Sequence, residues 1–158
     1  MTTPVGPLAV RGTDAAVTEI RFLRDRDRSA GAPAEAMADG FDGLPAPVRD
    51  AVEQLEEYFH GRRRRFDFAM RLDGTPFQRA VWSFLLTIPY GRTYTYGEVA
   101  AALGRPGAAR AVGAAAGRNP IIIAVPCHRV VAAGGGLGGY GGGLHTKRLL
   151  LQLEGIRL

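Results

Sequence analysis

The sequence predicts a two-domain α/β (α+β) protein, with a small N-terminal α/β domain that contains a short antiparallel sheet and a mostly helical C-terminal domain. The chain of 158 residues is 46% hydrophobic and 22% charged, which suffices for one good core or two small ones. Strand patterns occur in the first half, whereas the second half opens with helix-capping motifs. Residues 1–74 carry 11 Lys and Arg against 13 Asp and Glu, and residues 75–158 carry 9 against 2. We therefore place the domain boundary between residues 74 and 75.

The N-terminal domain is predicted to contain two paired strands, a helix and a third strand. Leu8–Val10 and Val17–Leu23 are typical of short strands. Residues 24–46, rich in Asp, Ala, Gly and Pro, predict a loop. Apolar residues at helical spacing predict a helix over Pro47–His60. Alternating apolar and polar residues over 66–72 predict a half-buried strand.

Capping motifs mark the helices of the C-terminal domain. A Thr-x-x-Gln box at Thr75 precedes an apolar helical stripe, and a Thr-x-x-Glu box at Thr95 opens a second, short helix. A tight Gly/Pro connection then leads to a third helical stretch over Ala108–Gly117, which completes a winged-helix-like helix-turn-helix pattern. A last helix is predicted over Lys147–Leu153, with Thr146 as its N-cap.

The third helical stretch has one long side chain, Arg110, among alanines and glycines. A helix that reads the major groove needs several long polar side chains to reach the base edges. A nearly bare helix can instead approach the narrow minor groove, where Arg110 could take the place of a displaced base. The alternative is a small-residue face that packs tightly against another helix.

The charge distribution indicates a phosphate backbone as partner of residues 75–158, which carry +7 (9 − 2). Ordinary solubilising arginines are the alternative, and the run Arg62–Arg65 either complements a helix dipole or contacts nucleic acid. A single cysteine excludes an internal disulfide and a Cys-rich zinc site, and the scattered His60, His128 and His145 predict no structural metal. No apolar stretch approaches the ~18 residues of a membrane span, and the N-terminus lacks a signal-peptide pattern. We therefore expect a soluble cytoplasmic protein.

The segment Pro126–Val130 holds the only cysteine of the chain. Cys127 follows the apolar run 121–125, which predicts a strand, and directly precedes His128. The thiolate is the reactive form of cysteine, and a free thiol has a pKa near ~8.5, so a neighbouring base is expected to lower it. The alternative is a buried structural cysteine.

A glycine-rich stretch over residues 134–143 follows, with Tyr140 in its middle. Such a stretch could be a flexible linker. A linker seldom keeps one tyrosine and precedes a well-marked helix, so we favour close approach of the backbone to a flat ligand.

Together these residues closely resemble the O6-alkylguanine-DNA alkyltransferases, also called methylated-DNA–protein-cysteine methyltransferases. The resemblance runs through residues 75–158, whereas residues 1–74 fit the family's N-terminal α/β domain only loosely. The Pro-Cys-His-Arg-Val core is highly specific, and its order and spacing against the other elements make coincidence implausible. The matching elements are Phe77-Gln78, Val81-Trp82, Ile88–Thr93, Tyr96–Glu98, Ala109–Gly113, Asn119-Pro120, Pro126–Val130, Gly139-Tyr140, Gly142-Gly143, Lys147 and Leu150–Glu154.

The resemblance implies a DNA repair protein that removes an alkyl group from guanine O6 by irreversible transfer to its own Cys127, once per molecule. The alkylated edge is hidden inside the duplex, so the nucleotide must first be extruded. No cofactor is implied. The implied partner is double-stranded DNA, bound through the minor groove. A monomer in solution is expected, while cooperative binding along DNA and activity on O4-alkylthymine stay open.

The resemblance also implies roles for individual residues. Cys127 attacks the alkyl carbon, and His128, oriented by Glu154, draws off the thiol proton through a water. Asn119 braces the turn before the active site, Arg110 fills the gap in the duplex, and Tyr96 helps to rotate the nucleotide. The other expected DNA contacts are Thr95, Ala109, Ala111, Gly113 and Arg118. The expected substrate pocket is lined by Tyr96, Val130, Tyr140, Gly141, Trp82 and Pro126. The carbonyls of Cys127 and Val130 are expected to accept from the guanine amine.

Two departures from the family pattern stand out. Gly141 occupies a position where some relatives have serine; its backbone N–H could still reach O6, in a looser pocket. The zinc ligands found in some relatives' N-terminal domain have no counterpart here. Three rival interpretations are a non-enzymatic lesion binder, a helix-turn-helix regulator and a Cys/His hydrolase. Cys127 argues against the first, the bare third helix argues against the second, and nothing in the sequence indicates the oxyanion site that the third needs.

Overall fold

The computed structural model describes residues 1–29 and 41–158, which form two compact units, Met1–Arg71 and Leu72–Leu158. The first unit contains β1 (Leu8–Gly12), β2 (Val17–Phe22), α1 (Asp25–Ser29) and α2 (Ala46–Phe59). The second unit contains α3 (Pro76–Leu85), β3 (Tyr94–Thr95), α4 (Tyr96–Ala102), α5 (Ala109–Gly117), β4 (Val130–Val131) and α6 (Leu144–Leu153). Short 3-10 turns lie at Phe41–Gly43, Cys127–Arg129 and Ala133–Gly135. The predicted α+β class is confirmed.

The first unit is a two-stranded antiparallel sheet covered by one helix. Leu8 lies opposite Phe22, and a bulge interrupts the register at Gly12. The helix α2 packs against β1 and β2, because its apolar residues recur on one face. The fully buried side chains are Leu8, Val17, Ile20, Ala51, Leu55 and Tyr58. Both predicted strands and the predicted helix are confirmed to within two residues.

The strand predicted over residues 66–72 is wrong. Burial does alternate there, and Phe68 is only 5% exposed. However, a single bridge joins this segment to β2, in which Val17 N–H donates to Ala69 O at 2.8 Å and Arg71 N–H donates to Val17 O at 2.9 Å. The alternating pattern reports which side chains face the core, and that does not require a hydrogen-bonded ladder.

The loop predicted over residues 24–46 is only partly correct. Asp25–Ser29 form α1, because the Asp27 carboxylate accepts from Arg24 N–H at 2.8 Å and from Arg21 Nη1 at 2.9 Å. Phe41–Gly43 form a 3-10 turn. Residues 30–40 of this predicted loop lie outside the described residues.

Both predicted capping boxes are present in the second unit. At the start of α3, Gln78 N–H donates to Thr75 Oγ1 at 3.1 Å, and Thr75 N–H donates to Gln78 Oε1 at 3.0 Å. Thr95 and Glu98 make the equivalent pair at the start of α4. The helices α4 and α5 form the predicted helix-turn-helix, and α5 packs against both α3 and α4.

Trp82 supports α5 from the core of the second unit. The Trp82 side chain is 1% exposed, and its Nε1–H donates to Ala115 O at 2.9 Å. Val112 and Ala115 are buried on the same side of α5. The small residues of α5 thus allow close packing on one side while Arg110 stays exposed.

Two further predictions for the second unit are corrected. Residues 121–125 form a turn with isolated bridges rather than a strand, and the backbone of Ile123 has a φ of 72°. The last helix starts at Leu144, not at Lys147, and Gly143 is its N-cap, so Thr146 lies inside the helix. A positive φ of 90° at Gly143 lets the chain enter the helix without a side-chain cap.

Within residues 1–29 and 41–158, no helix is long and apolar enough to cross a bilayer. The same ranges hold no group of three or more His, Cys, Asp or Glu side chains placed to bind a metal ion.

Candidate active site

Cys127 begins a 3-10 turn and is 6% exposed. Asn119 braces the segment before it, since Nδ2 donates to Val125 O at 2.7 Å and Oδ1 accepts from Ile121 N–H at 2.9 Å. The left-handed backbone of Ile123 lies between those two contacts, and such a conformation costs a β-branched residue about 1–3 kcal/mol. Asn119 therefore fixes a strained segment that carries the thiol.

His128 and Glu154 form a buried pair, with 2.8 Å between Nε2 and Oε1. Burial alone would raise the pKa of Glu154, but hydrogen bonds from His128 and Arg129 outweigh it and lower this pKa to about 2. A carboxylate only accepts, so His128 Nε2 is the donor and Nδ1 carries the lone pair. Burial also lowers the pKa of His128, against the pull of Glu154, so the imidazole is neutral at physiological pH. Nδ1 has no hydrogen-bond partner among the described residues and is available as a base.

Arg129 also binds Glu154, a contact that the sequence does not predict. Its side chain donates from Nε to Glu154 Oε2 at 2.8 Å and from Nη2 to Oε1 at 2.9 Å. Gly91 N–H donates to the same Oε2 at 3.2 Å. One signal could have revealed this contact: Glu154 is one of only two acidic residues after residue 74.

The surroundings of Cys127 favour the protonated thiol over the thiolate. Burial raises the pKa of Cys127, and the Asn119 side chain and the Lys147 charge oppose this only in part. The expectation that a neighbouring base lowers this pKa is wrong here, because a neutral His128 adds no positive charge to offset the burial of the thiol. The proton must therefore leave Sγ during the reaction.

Lys147 is a second functional candidate to which the sequence pattern assigned no role. It is fully buried, and its Nζ donates to Val130 O at 2.6 Å, to Gly139 O at 3.2 Å and to Leu137 O. Burial lowers the pKa of Lys147 to about 8. These contacts join the glycine-rich loop to the segment after the thiol. The available signal was spacing, since Lys147 precedes the buried Leu150 by three residues and so lies on the apolar face of α6.

Tyr96 lies between α5 and the glycine-rich loop. Its hydroxyl donates to Gly139 O at 3.3 Å, and Lys147 Nζ lies 5.7 Å from its ring centre. A Cβ at Gly138 would lie 2.7 Å from the ring and the hydroxyl, and one at Gly113 would lie 3.6 Å from the ring. Gly138 also has a φ of 71°, so both its backbone and its neighbour require glycine.

The parallel pair of β3 and β4 places the start of α4 beside the segment after the thiol, with Thr95 opposite Val131. The carbonyls expected to accept from guanine already have donors: Val130 O accepts from Lys147 and Cys127 O from Val130 N–H. A carbonyl has a second lone pair, so each can take another donor. The other expected pocket residues are mixed in exposure, since Pro126 and the Tyr140 hydroxyl are buried and Gly141 is exposed.

The expected DNA contacts on α5 occupy different sides of the helix. Arg110 and Ala111 are exposed, and Ala109 and Gly113 are half-buried. Ala111 and Arg118 also line a surface pocket of about 280 Å³ that α5 shares with α3. Trp82, expected in the substrate pocket, instead lies in the core beneath α5.

Residues 76–156 match the family model of the 6-O-methylguanine DNA methyltransferase DNA-binding domain. Residues 1–72 match the ribonuclease-like domain of the same methyltransferases. The chain belongs to the 6-O-methylguanine DNA methyltransferase family. This membership accounts for the joint presence of a helix-turn-helix and a lone, buried thiol beside a His–Glu pair.

Relatives in this family match nearly the whole chain. A Mycobacterium tuberculosis protein named methylated-DNA–protein-cysteine methyltransferase is 48% identical over 154 residues, which cover 98% of this chain and 89% of the relative. A Methanosarcina acetivorans protein of the same name is 43% identical over 152 residues, which cover 96% and 94%. The crystal structure of Mycobacterium tuberculosis OGT in complex with DNA has a TM-score of 0.82 at 46% identity, over 98% of this chain and 89% of that one.

The contact between Gly138 and Tyr96 predicts a position-specific effect of a single methyl group. Gly138→Ala adds a Cβ that clashes with Tyr96 and strains a positive φ, so it should lower the free energy of unfolding by roughly 1–3 kcal/mol. Gly139→Ala is the matched control, because its Cβ would meet open space and its φ is not positive. Urea unfolding of both variants checks this, and equal losses would contradict it.

The low pKa of Glu154 predicts a loss of stability in acid. The folded pKa of about 2 lies below the unfolded value of ~4.3, so the group adds stability above the unfolded pKa and loses it as pH falls through the folded pKa. Glu154→Gln removes this dependence. Urea unfolding of both proteins should therefore show a stability difference that shrinks as pH falls from about 5 to about 2. A difference that stays constant over this window would refute the assignment.

Proposed function

We propose that this protein repairs DNA by taking an alkyl group from guanine O6 in the duplex and binding it irreversibly to its own Cys127. The observation that carries the proposal is the lone buried thiol beside the His128–Glu154 pair, in the unit that also holds the helix-turn-helix. The function joins the chemistry of that site to the family membership. In this proposal residues 75–158 bind DNA and react, and residues 1–74 are structural.

The transfer is a displacement at the alkyl carbon. Sγ of Cys127 forms a bond to that carbon, and the carbon–O6 bond breaks with its electron pair on guanine. The guanine then takes up one proton to become its normal lactam, which balances the proton that the thiol loses. The thiol proton passes through a water towards Nδ1 of His128, while Nε2–H stays bonded to Glu154. The pair therefore acts as general base at the moment of attack.

The other residues serve access and recognition. Arg110, exposed at the start of α5, fills the space left by the extruded nucleotide in the minor groove. Tyr96 rotates and then binds the base, and the remaining contacts to DNA come from Thr95, Ala109, Ala111, Gly113 and Arg118. The base pocket is formed by Tyr96, Pro126, Val130, Tyr140 and the backbone at Gly141. Lys147 holds the loop that carries this pocket wall, and Trp82 holds α5 in place.

The proposal accounts for a single event per molecule. A neutral imidazole does not break the bond between the cysteine sulfur and the transferred alkyl carbon. The chain also has no other cysteine to which the alkyl group could move. The acceptor is part of the protein, so the transfer requires no cofactor. The reaction needs a reduced thiol, which is consistent with a cytoplasmic location.

Arg110 is expected to matter only when a base must be extruded. Arg110→Ala should slow repair of O6-methylguanine in a duplex by roughly 10- to 100-fold, because unstacking is no longer compensated. Reaction with free O6-benzylguanine, which needs no extrusion, should be nearly unchanged. Arg157→Ala, which removes the same charge outside the helix-turn-helix, is the control. Equal losses of Arg110→Ala on both substrates would rule out this role.

Cys127→Ser separates binding from chemistry. The hydroxyl is too weakly acidic for His128 to activate, so transfer should be abolished. The basic surface, Arg110 and the base pocket remain, so the variant should still bind methylated duplex. In a gel-shift assay its affinity should stay within about threefold of wild type, which corresponds to a difference of ~0.6 kcal/mol in binding free energy. Residual transfer by this variant would place the acceptor elsewhere.

A further inference from the structure

We propose that Arg129 is a positioning residue for the alkyl transfer: its guanidinium holds Glu154 in place and sets a fixed positive charge against the carboxylate that His128 contacts. This inference rests on the proposed transfer to Cys127 and adds a residue to it. Neither the five-residue motif nor the spacing of the sequence assigns Arg129 this part.

The guanidinium of Arg129 is held at every nitrogen. Nε and Nη2 form a fork on the two oxygens of Glu154, at 2.8 and 2.9 Å, and Nη1 donates to Ile88 O at 2.6 Å. The ring centre of Tyr90 lies 5.8 Å from the guanidinium carbon. A planar fork of this kind fixes both the position and the rotation of the carboxylate, which a lysine cannot do.

The turn over residues 88–91 takes part in the same arrangement. Ile88 accepts from Arg129, Gly91 N–H donates to Glu154 Oε2, and the Tyr90 hydroxyl donates to Leu153 O at 3.0 Å. Glu154 is therefore held by the turn and by Arg129 together. Oε1, which faces His128, is placed by contacts that do not involve the imidazole itself.

The charges around His128 explain why a cation is needed beside the carboxylate. A lone buried anion in contact with an imidazole would favour the imidazolium, which cannot accept a proton from the thiol. The charged groups that act on His128 are Glu154, Arg129 and Lys147. Burial is the largest effect that lowers the pKa of His128, and the charges of Arg129 and Lys147 add to it by opposing the pull of Glu154. His128 thus keeps an oriented N–H on Glu154 and a free lone pair on Nδ1.

A contribution to stability is by itself a weak explanation for the buried ion pair between Arg129 and Glu154. Removing two charges from water is costly, and replacing a buried ion pair with apolar residues of similar size is often neutral or stabilising. Removing only one partner is strongly destabilising, because the other charge is then left unbalanced. The double replacement therefore separates a structural role from a chemical one.

The test uses Arg129→Met, Arg129→Lys, Glu154→Gln and the double variant Arg129→Met/Glu154→Gln. Nitrogen NMR titration of His128 and the pH dependence of benzyl transfer from free O6-benzylguanine are measured for each. In Arg129→Met the pKa of His128 should rise, and the rate at neutral pH should fall at least about 10-fold and recover as pH rises. Arg129→Lys should keep the wild-type midpoint at a lower rate, because it keeps the charge and loses the fork.

Arg129→Met leaves the charge of Glu154 unbalanced and could prevent folding. Glu154→Gln and the double variant both lack that charge, so comparing these two tests the proposal even if Arg129→Met does not fold. Glu154→Gln keeps the cation beside His128 and the double variant lacks it, so the pKa of His128 should be lower in Glu154→Gln. Equal pKa values in these two, or a wild-type midpoint in Arg129→Met, would overturn the proposal. Absence of benzyl transfer to Cys127 in the wild type would instead overturn the proposed function, and the NMR comparison would still stand.

Discussion

Glu154 is a carboxylate without access to water, and the donors that it requires organise the second unit. An ionised carboxylate costs several kcal/mol to bury unless hydrogen bonds replace the lost water. His128, Arg129 and the backbone of Gly91 supply those hydrogen bonds. They come from the turn at 88–91 and from the 3-10 turn that carries the thiol, while Glu154 itself caps the end of α6. Because Glu154 joins these three segments, it fixes the position of the general base, His128, together with that of Cys127.

Burial of Cys127 and His128 explains why the thiol does not react before the substrate binds. Burial raises the pKa of Cys127 and lowers that of His128, so the resting pair is a protonated thiol beside a neutral base. Neither group is strongly reactive with solvent species in that state, since thiolate character and exposure govern oxidation and alkylation of cysteine. Attack then requires a substrate that reaches the thiol and a proton transfer during the displacement. A protein that reacts once benefits from that restraint.

The parts of the molecule that were predictable from the sequence are those with local chemical signatures. The capping boxes at Thr75 and Thr95, the helix-turn-helix and the bare face of α5 each depend on a few neighbouring residues. The contact between His128 and Glu154 followed from the family resemblance rather than from spacing. The predictions of strands at 66–72 and 121–125 were wrong, because a pattern of apolar residues indicates which side chains are buried and not which backbone groups form hydrogen bonds. No individual role was predicted for Arg129 or Lys147, because their partners lie on distant segments that only the fold brings together.

The central claim is that Cys127 accepts one alkyl group and keeps it. The most direct measurement incubates the wild-type protein with a large excess of duplex that contains O6-methylguanine. Restored guanine is then counted against protein, and the methylated peptide is mapped by mass spectrometry. The account predicts one restored guanine per protein molecule and a single methyl group, on Cys127. More than one restored guanine per molecule, or a methyl group on any other residue, would contradict it.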